Sequence, residues 1–336
     1  DDCNIIVNDA IGEWDTISIW DNMKKIHSWK YPYSLGLLYS AITQSIGLKP
    51  NEEEYITMGM AAYGEPIHNL EPYLEQNNHY GIGKLEGRKE DLAASVQALF
   101  EKKLLELVDM CPKKNIILMG GCALNCLANS KIKGKNIWIM PNPGDAGSSL
   151  GAAALMYGKK LNWRGPYLGH NINKQINPTD VVKELLKNKM CGIAHGKAEF
   201  GPRSLGNRSL IADPRINSIK DKVNEVKYRD KFRPFAPAIL EEYAHEYFEG
   251  PMNEYMQFVA TAKHDYSSVT HVDGTARVQV VKEDCQSILR PILEEWYDKT
   301  GCPMLLNTSL NIKGQPIVND ENDAIKFMER SSIRVF

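Results

Sequence analysis

The run Asn115-Ile116-Ile117-Leu118-Met119-Gly120-Gly121-Cys122-Ala123-Leu124-Asn125 decides the fold class. A short apolar strand hands over, at a glycine pair, to a turn that opens a helix. Gly144-Asp145-Ala146-Gly147-Ser148-Ser149 repeats that geometry after the next strand, read over residues 136–140. Two strand-to-helix turns side by side are the mark of an α/β layer. Working outward, residues 4–7 read as a strand with residues 16–20 as its hairpin partner. Residues 34–46 read as a helix, and Leu92, Val96, Leu99, Phe100, Leu104, Leu107 and Val108 recur at helical spacing. A small-residue helix follows over 148–157, and the polar, Gly- and Pro-containing stretch 158–173 is the expected linker. Beyond it, 181–186 and 288–296 read as helices and 192–195, 256–263 and 278–281 as extended. The expected fold is therefore α/β, passing to α+β in the second half, with domains over 1–165 and 166–336.

The chain has 336 residues, 43% of them hydrophobic and 24% charged, an ordinary composition for a globular protein of two domains. A net charge of -2 gives no general basic footprint for nucleic acid. No apolar run is long enough to be a membrane helix, and no signal-peptide pattern opens the chain. The seven cysteines are odd in number and lack any Cys-x-x-Cys pair, which argues for reduced thiols and a cytoplasmic setting. Cys122 and Cys126 could share a helical face, yet matched metal-binding partners are missing.

Glycines let backbone N–H groups approach phosphates, and a helix N-terminus favours negative charge there. Gly120, Gly121, Asn125 and Gly144 are thus candidate nucleotide-binding residues, although tight turns also need glycine for steric reasons alone. Spacing makes Asp145 a helix N-cap more readily than a cation ligand. The second half is different in kind. Arg203 and Arg208 lie among turn formers, Lys227, Arg229 and Arg233 follow, and Arg277 closes a compact polar turn. Six cations suit a polyanion, which Arg forks and Lys bind through charge-assisted hydrogen bonds. Asn307, Ser309 and Asn311 lie on an extended segment where alternate side chains share a side. His271 and Asp273 also alternate, which permits acid–base work, though a hydrogen-bonded structural His fits the same spacing.

Residues 58–64 (Met-Gly-Met-Ala-Ala-Tyr-Gly), 120–125, 199–209, 232–237 (Phe-Arg-Pro-Phe-Ala-Pro), 271–279 and 307–311 together resemble the O-carbamoyltransferases of the nodulation-factor, cephamycin and tobramycin type. The match is in order and covers nearly the whole chain. The resemblance implies the second subdomain of an actin/Hsp70/sugar-kinase-like fold, akin to the tRNA threonylcarbamoyl transferases, followed by a YrdC-like domain. Lys227-x-Arg229 and Ser309-x-Asn311 match the signature of YrdC-like sites, which form acyl-adenylates from ATP and a carbamoyl-type acid. It further implies carbamoyl phosphate as partner, Mg2+ with the ATP, and Fe2+ or another divalent metal at Asp145 in the actin-like domain.

The chain departs from that family in lacking a preceding subdomain with a His-x-x-x-His metal motif, so two ligands are expected from a segment absent here. That would leave an apolar face of the first half uncovered; alternatively His27 or His68 supplies the metal. Ile56 stands where relatives often carry Lys. The expected activity is carbamoyl transfer to a hydroxyl of a small molecule or nucleotide. Lys227, Arg229, Arg233, His271 and Arg277 are the expected catalytic residues; Gly120, Gly121, Asn125, Gly144, Arg203, Arg208, Asn307, Ser309 and Asn311 bind nucleotide. A threonylcarbamoyl-type transferase acting on tRNA, or a nucleotide-binding regulator without catalysis, are the alternatives. The acceptor has no sequence signature, and a homodimer remains open.

Overall fold

The computed structural model describes residues 2–336. The chain divides into Asp1–Lys160 and Leu161–Phe336. The boundary falls inside the expected linker, but the later part of that stretch is a strand.

The first unit is built on strands β1 (Asn4–Gly12), β2 (Asp15–Asp21), β3 (Lys24–Lys30), β4 (Asn115–Met119) and β5 (Asn136–Ile139). Their order across the sheet is β3-β2-β1-β4-β5, with the first three antiparallel and β1, β4 and β5 parallel. Helices α1 (Leu35–Ser45), α2 (Glu54–Met60) and α3 (Lys89–Asp109) form the crossover to β4; α4 (Cys126–Lys131) and α5 (Asp145–Tyr157) follow β4 and β5. Helix α1 starts where the Ser34 hydroxyl accepts the Leu37 N–H at 3.1 Å, which satisfies a donor no intrahelical carbonyl can reach. It buries Leu35, Leu38 and Ile42, each contributing about 1.5–3 kcal/mol over exposure. Leu38→Ala would cost about 2–5 kcal/mol. Strand β3 has no counterpart in the sequence reading, because it is an edge strand exposed along most of its length and shows no apolar alternation. Ile56 is 4% exposed and belongs to the core. Helix α5 buries only Gly147, and its Leu155, Met156 and Tyr157 are exposed. No helix among the described residues is long and apolar enough to cross a membrane.

The second unit contains β6 (Tyr167–Ile172), α6 (Pro178–Asn188), β7 (Met190–Ala194), β8 (Gly196–Glu199), β9 (Arg208–Ala212), α7 (Ile219–Val226), β10 (Ala236–Leu240) and α8 (Glu241–Tyr247). It continues with β11 (Phe248–Glu249), β12 (Ala260–Ala262), β13 (Thr275–Ala276), β14 (Gln279–Val281), α9 (Leu289–Thr300), β15 (Met304–Ser309) and α10 (Glu321–Ser331). Its main sheet runs β14-β10-β15-β9-β7 and is antiparallel apart from the β10–β14 pair. Strands β7, β9, β10 and β14 are buried at every residue. Strands β7 and β10 therefore read as apolar runs rather than alternations, while β9 and β14 open on buried polar residues. The strand expected over 256–263 shrinks to β12, since Met256 has φ 57°, a left-handed conformation that no strand accommodates.

Candidate functional site

Pairing register decides which motifs meet in the second unit. Ala194 pairs with Arg208, Ser209 with Ser309, Ala236 with Asn307, and Ala238 with Gln279 in parallel. The end of β7, the starts of β9, β10 and β14 and the end of β15 consequently lie at one end of the sheet. The loop 200–207, Arg233, Arg277 and the Ser309–Asn311 segment flank those ends, so four motifs distant in sequence converge.

Lys227 sits just past α7 and is fully buried. Its Nζ donates to the Ser309 and Asn311 carbonyls, to Asn311 Oδ1 at 2.8 Å and toward Ser309 Oγ at 3.3 Å. Ser309 Oγ donates to Asn311 Oδ1 at 2.7 Å, which closes the triangle. Burial, with the charges of Arg229 and Arg233, holds the Lys227 amine well below its usual range. Lys227 thus fixes the Ser309–Asn311 geometry, and Arg229 and Arg233 near it are partly exposed. Arg277 is partly buried, and its Nε has no hydrogen-bond partner among the described residues, a donor left for an acceptor from outside the chain. His271 Nδ1 lies 3.5 Å from Asp273 Oδ1. Burial would raise the Asp273 carboxyl, but hydrogen bonds from His271 and from the Thr275 side chain and N–H hold it down to about 2.

Two residues expected to bind nucleotide have other work. Arg208 is fully buried and directs its guanidinium at backbone carbonyls: His170 (2.8 Å), His195 (3.0 Å), Gly196 (3.2 Å), Asn207 (2.8 Å) and Asn319 (3.0 Å). Nε also points at Asn319, so no N–H remains for a phosphate. Asn307 is 1% exposed and donates through Nδ2 to the Ser204 carbonyl at 3.1 Å and Gln279 Oε1 at 2.7 Å. It pins the loop carrying Arg203 instead of reaching solvent.

In the first unit the two glycine turns touch. The Gly120 N–H donates to the Pro143 carbonyl at 2.8 Å, and Gly120 has φ 88° with the Asn8 carbonyl where a side chain would go. Only glycine fits. Gly144 faces Gly121 closely, a Cβ on Gly144 meeting the Gly121 Cα at 3.6 Å. Gly144 is the N-cap of α5 and Asp145 its first residue, exposed, so the expected Asp145 cap is corrected by one position. Asn125 is also corrected: its Oδ1 caps α4 at Ala128 N–H (3.0 Å), and it pairs with Gln97 through both amide groups at 3.0 and 3.1 Å. Asp9 escaped the sequence reading, being one acidic residue in a hairpin. Its pKa is raised, chiefly by burial and further by the charge of Asp145, against opposing N–H groups of Ala10 and Gly121. Among the described residues no three His, Cys, Asp or Glu side chains group as a metal site, so neither His27 nor His68 completes one. Asp9 and Asp145 fall short of the three protein ligands a catalytic metal generally needs.

Models of the carbamoyltransferase N-terminus match residues 1–81 and 73–154, and the carbamoyltransferase C-terminus model matches residues 182–336. An uncharacterized protein of Synechocystis sp. is 31% identical over 99% of this chain and 71% of its own length. Nodulation protein NolNO of Sinorhizobium fredii is 32% identical over 87% of the chain, which spans only 53% of that relative. An uncharacterized protein of Methanocaldococcus jannaschii is 32% identical over 87% of the chain and 68% of its length. Among solved structures, full-length HypF in the phosphate- and nucleotide-bound form aligns with 49% of this chain and 21% of its own at 15% identity and a TM-score of 0.35. That likeness is too loose to bear on the fold or the site.

Proposed function

Since this chain belongs to the carbamoyltransferase family, we propose that it serves an ATP-dependent O-carbamoyl transfer in two steps. In the second unit, read as YrdC-like, water hydrolyses carbamoyl phosphate, breaking the anhydride bond to give carbamate and inorganic phosphate. A carbamate oxygen then attacks the α-phosphorus of ATP, and pyrophosphate leaves. The product, carbamoyl-adenylate, is a mixed anhydride and hence an activated donor. Arg203, Arg229, Arg233 and Arg277 are suited to neutralise the charge that builds on the phosphoryl oxygens, since preorganised cations cost no reorganisation during the reaction. Lys227 holds Ser309 and Asn311 in register for the nucleotide. His271, oriented by Asp273, is the available acid–base group.

In the first unit, read as the second actin-like subdomain, the crest where Gly120, Gly121 and Gly144 meet keeps side chains away and leaves the backbone open to close approach by the adenylate. A hydroxyl of the acceptor attacks the carbamoyl carbon there, AMP leaves, and Asp145 stands at the crest of that step. Free thiols on all seven cysteines suit a reducing, cytosol-like setting.

The observation that carries the reading is the convergence of Lys227, Ser309 and Asn311 at one sheet end beside Arg229 and Arg233. Incubation with carbamoyl phosphate and ATP tests it: pyrophosphate release with carbamoyl-adenylate formation is the expected result. Tight ATP binding without turnover would favour a nucleotide-binding regulator. Carbamoylation that proceeds only with tRNA would favour the threonylcarbamoyl-type alternative.

A further inference from the structure

Glu199 ends β8 immediately before the loop 200–207, and it has no place in the chemistry above. Its Oε1 accepts the N–H groups of Leu205 at 2.7 Å, Asn207 at 2.9 Å and Arg208 at 3.3 Å. Backbone N–H groups that converge on one point form the kind of concavity that ordinarily takes an anion from solution. Here the protein's own carboxylate fills it from beneath.

The rest of the loop is fixed to match. Gln279 Nε2 and the Tyr167 hydroxyl donate to the Leu205 carbonyl at 2.9 and 3.2 Å, and Asn307 Nδ2 holds the Ser204 carbonyl. Gly206 has φ 123°, with Ser287 and Leu289 where a Cβ would stand. The Phe200 N–H is tied to the Pro166 carbonyl at 2.6 Å. Between these anchors the loop carries Arg203. Ser204 Oγ, in a residue 4% exposed, has no protein partner among the described residues and remains for a ligand or water. Arg208 gives all its guanidinium N–H groups to carbonyls, so its charge is offset through space by Glu199 rather than by a direct ion pair.

We infer that Glu199 is a positioning residue: its carboxylate templates the 200–207 loop so that Arg203 is presented preformed to a phosphate-bearing substrate. A loop without the template samples other conformations, and the arginine then loses freedom on binding that the native loop has already lost on folding. The inference rests on the proposed phosphate chemistry of this site. It differs from a merely structural role because the effect of Glu199 must pass through Arg203.

A double-mutant cycle on the full 336-residue chain tests this, with MgATP and carbamoyl phosphate titrated separately by calorimetry and thermal melts run alongside. Glu199→Gln, which keeps the volume and removes the charge, should weaken binding of the ligand that Arg203→Ala also weakens by about tenfold or more. In the Arg203→Ala background the same change should cost less than about twofold. Arg203 lies on a partly exposed loop, so Arg203→Ala supplies a folded background. Parental affinity in Glu199→Gln, or a full tenfold loss in both backgrounds, overturns the role of Glu199 while the functional reading stands. A parental chain that binds neither ligand defeats both.

Discussion

The two candidate sites are built from opposite materials. In the first unit the crest is made of backbone: Gly120 and Gly144 keep side chains away, and the ionisable neighbours, Asp9 and Asp145, are acids. In the second unit the site is made of side-chain cations, and the buried ones are satisfied by carbonyls rather than by carboxylates. A backbone crest next to acids suits a ligand of low charge, such as the singly charged phosphate of an acyl-adenylate. A cluster of arginines suits the triphosphate and carbamoyl phosphate, which bring far more charge. The difference is what the proposed division of labour predicts, with the charge-heavy chemistry in the second unit and the lighter transfer step in the first.

The sharpest way to break this comparison is Lys227→Ala. It removes a buried donor from four acceptor contacts, so it should cost about 3–5 kcal/mol of stability in denaturant unfolding as well as abolish adenylate formation. Unchanged unfolding would mean that Lys227 faces ligand rather than the Ser309–Asn311 segment. Arg233→Ala, at a partly exposed position, should instead lower kcat/KM for pyrophosphate release by a factor equivalent to about 2–4 kcal/mol with the melting temperature nearly unmoved. Gly120→Ala should cost about 1–3 kcal/mol of stability from its positive φ alone, and more from the Asn8 carbonyl. Gly144→Ala, with φ −86° and only an ordinary contact, should fold normally, so any loss of transfer it causes reports on the crest itself.

Asp145→Asn should leave stability within about 0.5 kcal/mol and pyrophosphate release intact while carbamoylation of an acceptor fails. Equal loss of both steps would merge the two sites into one. The smallest expected effect belongs to Asp273. Its pKa is depressed from 3.8 to about 2, so its stabilising contribution is present above pH 4 and lost as pH falls through about 2. Asp273→Asn should therefore be less stable than the parent at pH 7, by less than about 1 kcal/mol for a carboxylate whose side chain is 33% exposed, with the difference vanishing as pH falls below about 2.

Strongly patterned elements were legible in the sequence. Strand β4 was read at its observed bounds, and α1 and α3 within a few residues, because an apolar run and a 3.6-residue repeat are local properties. Strand β3 was not, since Lys24, Lys25, His27 and Lys30 carry no apolar signal at a sheet edge. The motif residues Lys227, Ser309 and Asn311 do meet. Arg208 and Asn307 beside them, and Asn125 in the first unit, serve the protein's own backbone and side chains. Sequence reports that a donor exists but not which side of the sheet surface it faces, and register alone decided that. Glu199 stood inside a quoted motif, yet its role depends on three N–H groups from residues six to nine positions later, which no spacing rule anticipates.

The enclosure of Lys227 has one more consequence. A carbamoyl donor acylates any uncharged amine it can reach, and burial pushes the Lys227 amine toward that uncharged form. The side chain has no exposed surface, and each N–H is engaged by Ser309 or Asn311, so the amine at the centre of the site is out of reach of its own reagent. Lys231, four residues on with a 67% exposed side chain, has no such shelter. After prolonged turnover, peptide mass spectrometry should find carbamyl-lysine accumulating at Lys231 while Lys227 stays unmodified. The fold would then be what keeps an aggressive reagent from wearing out the machine that handles it.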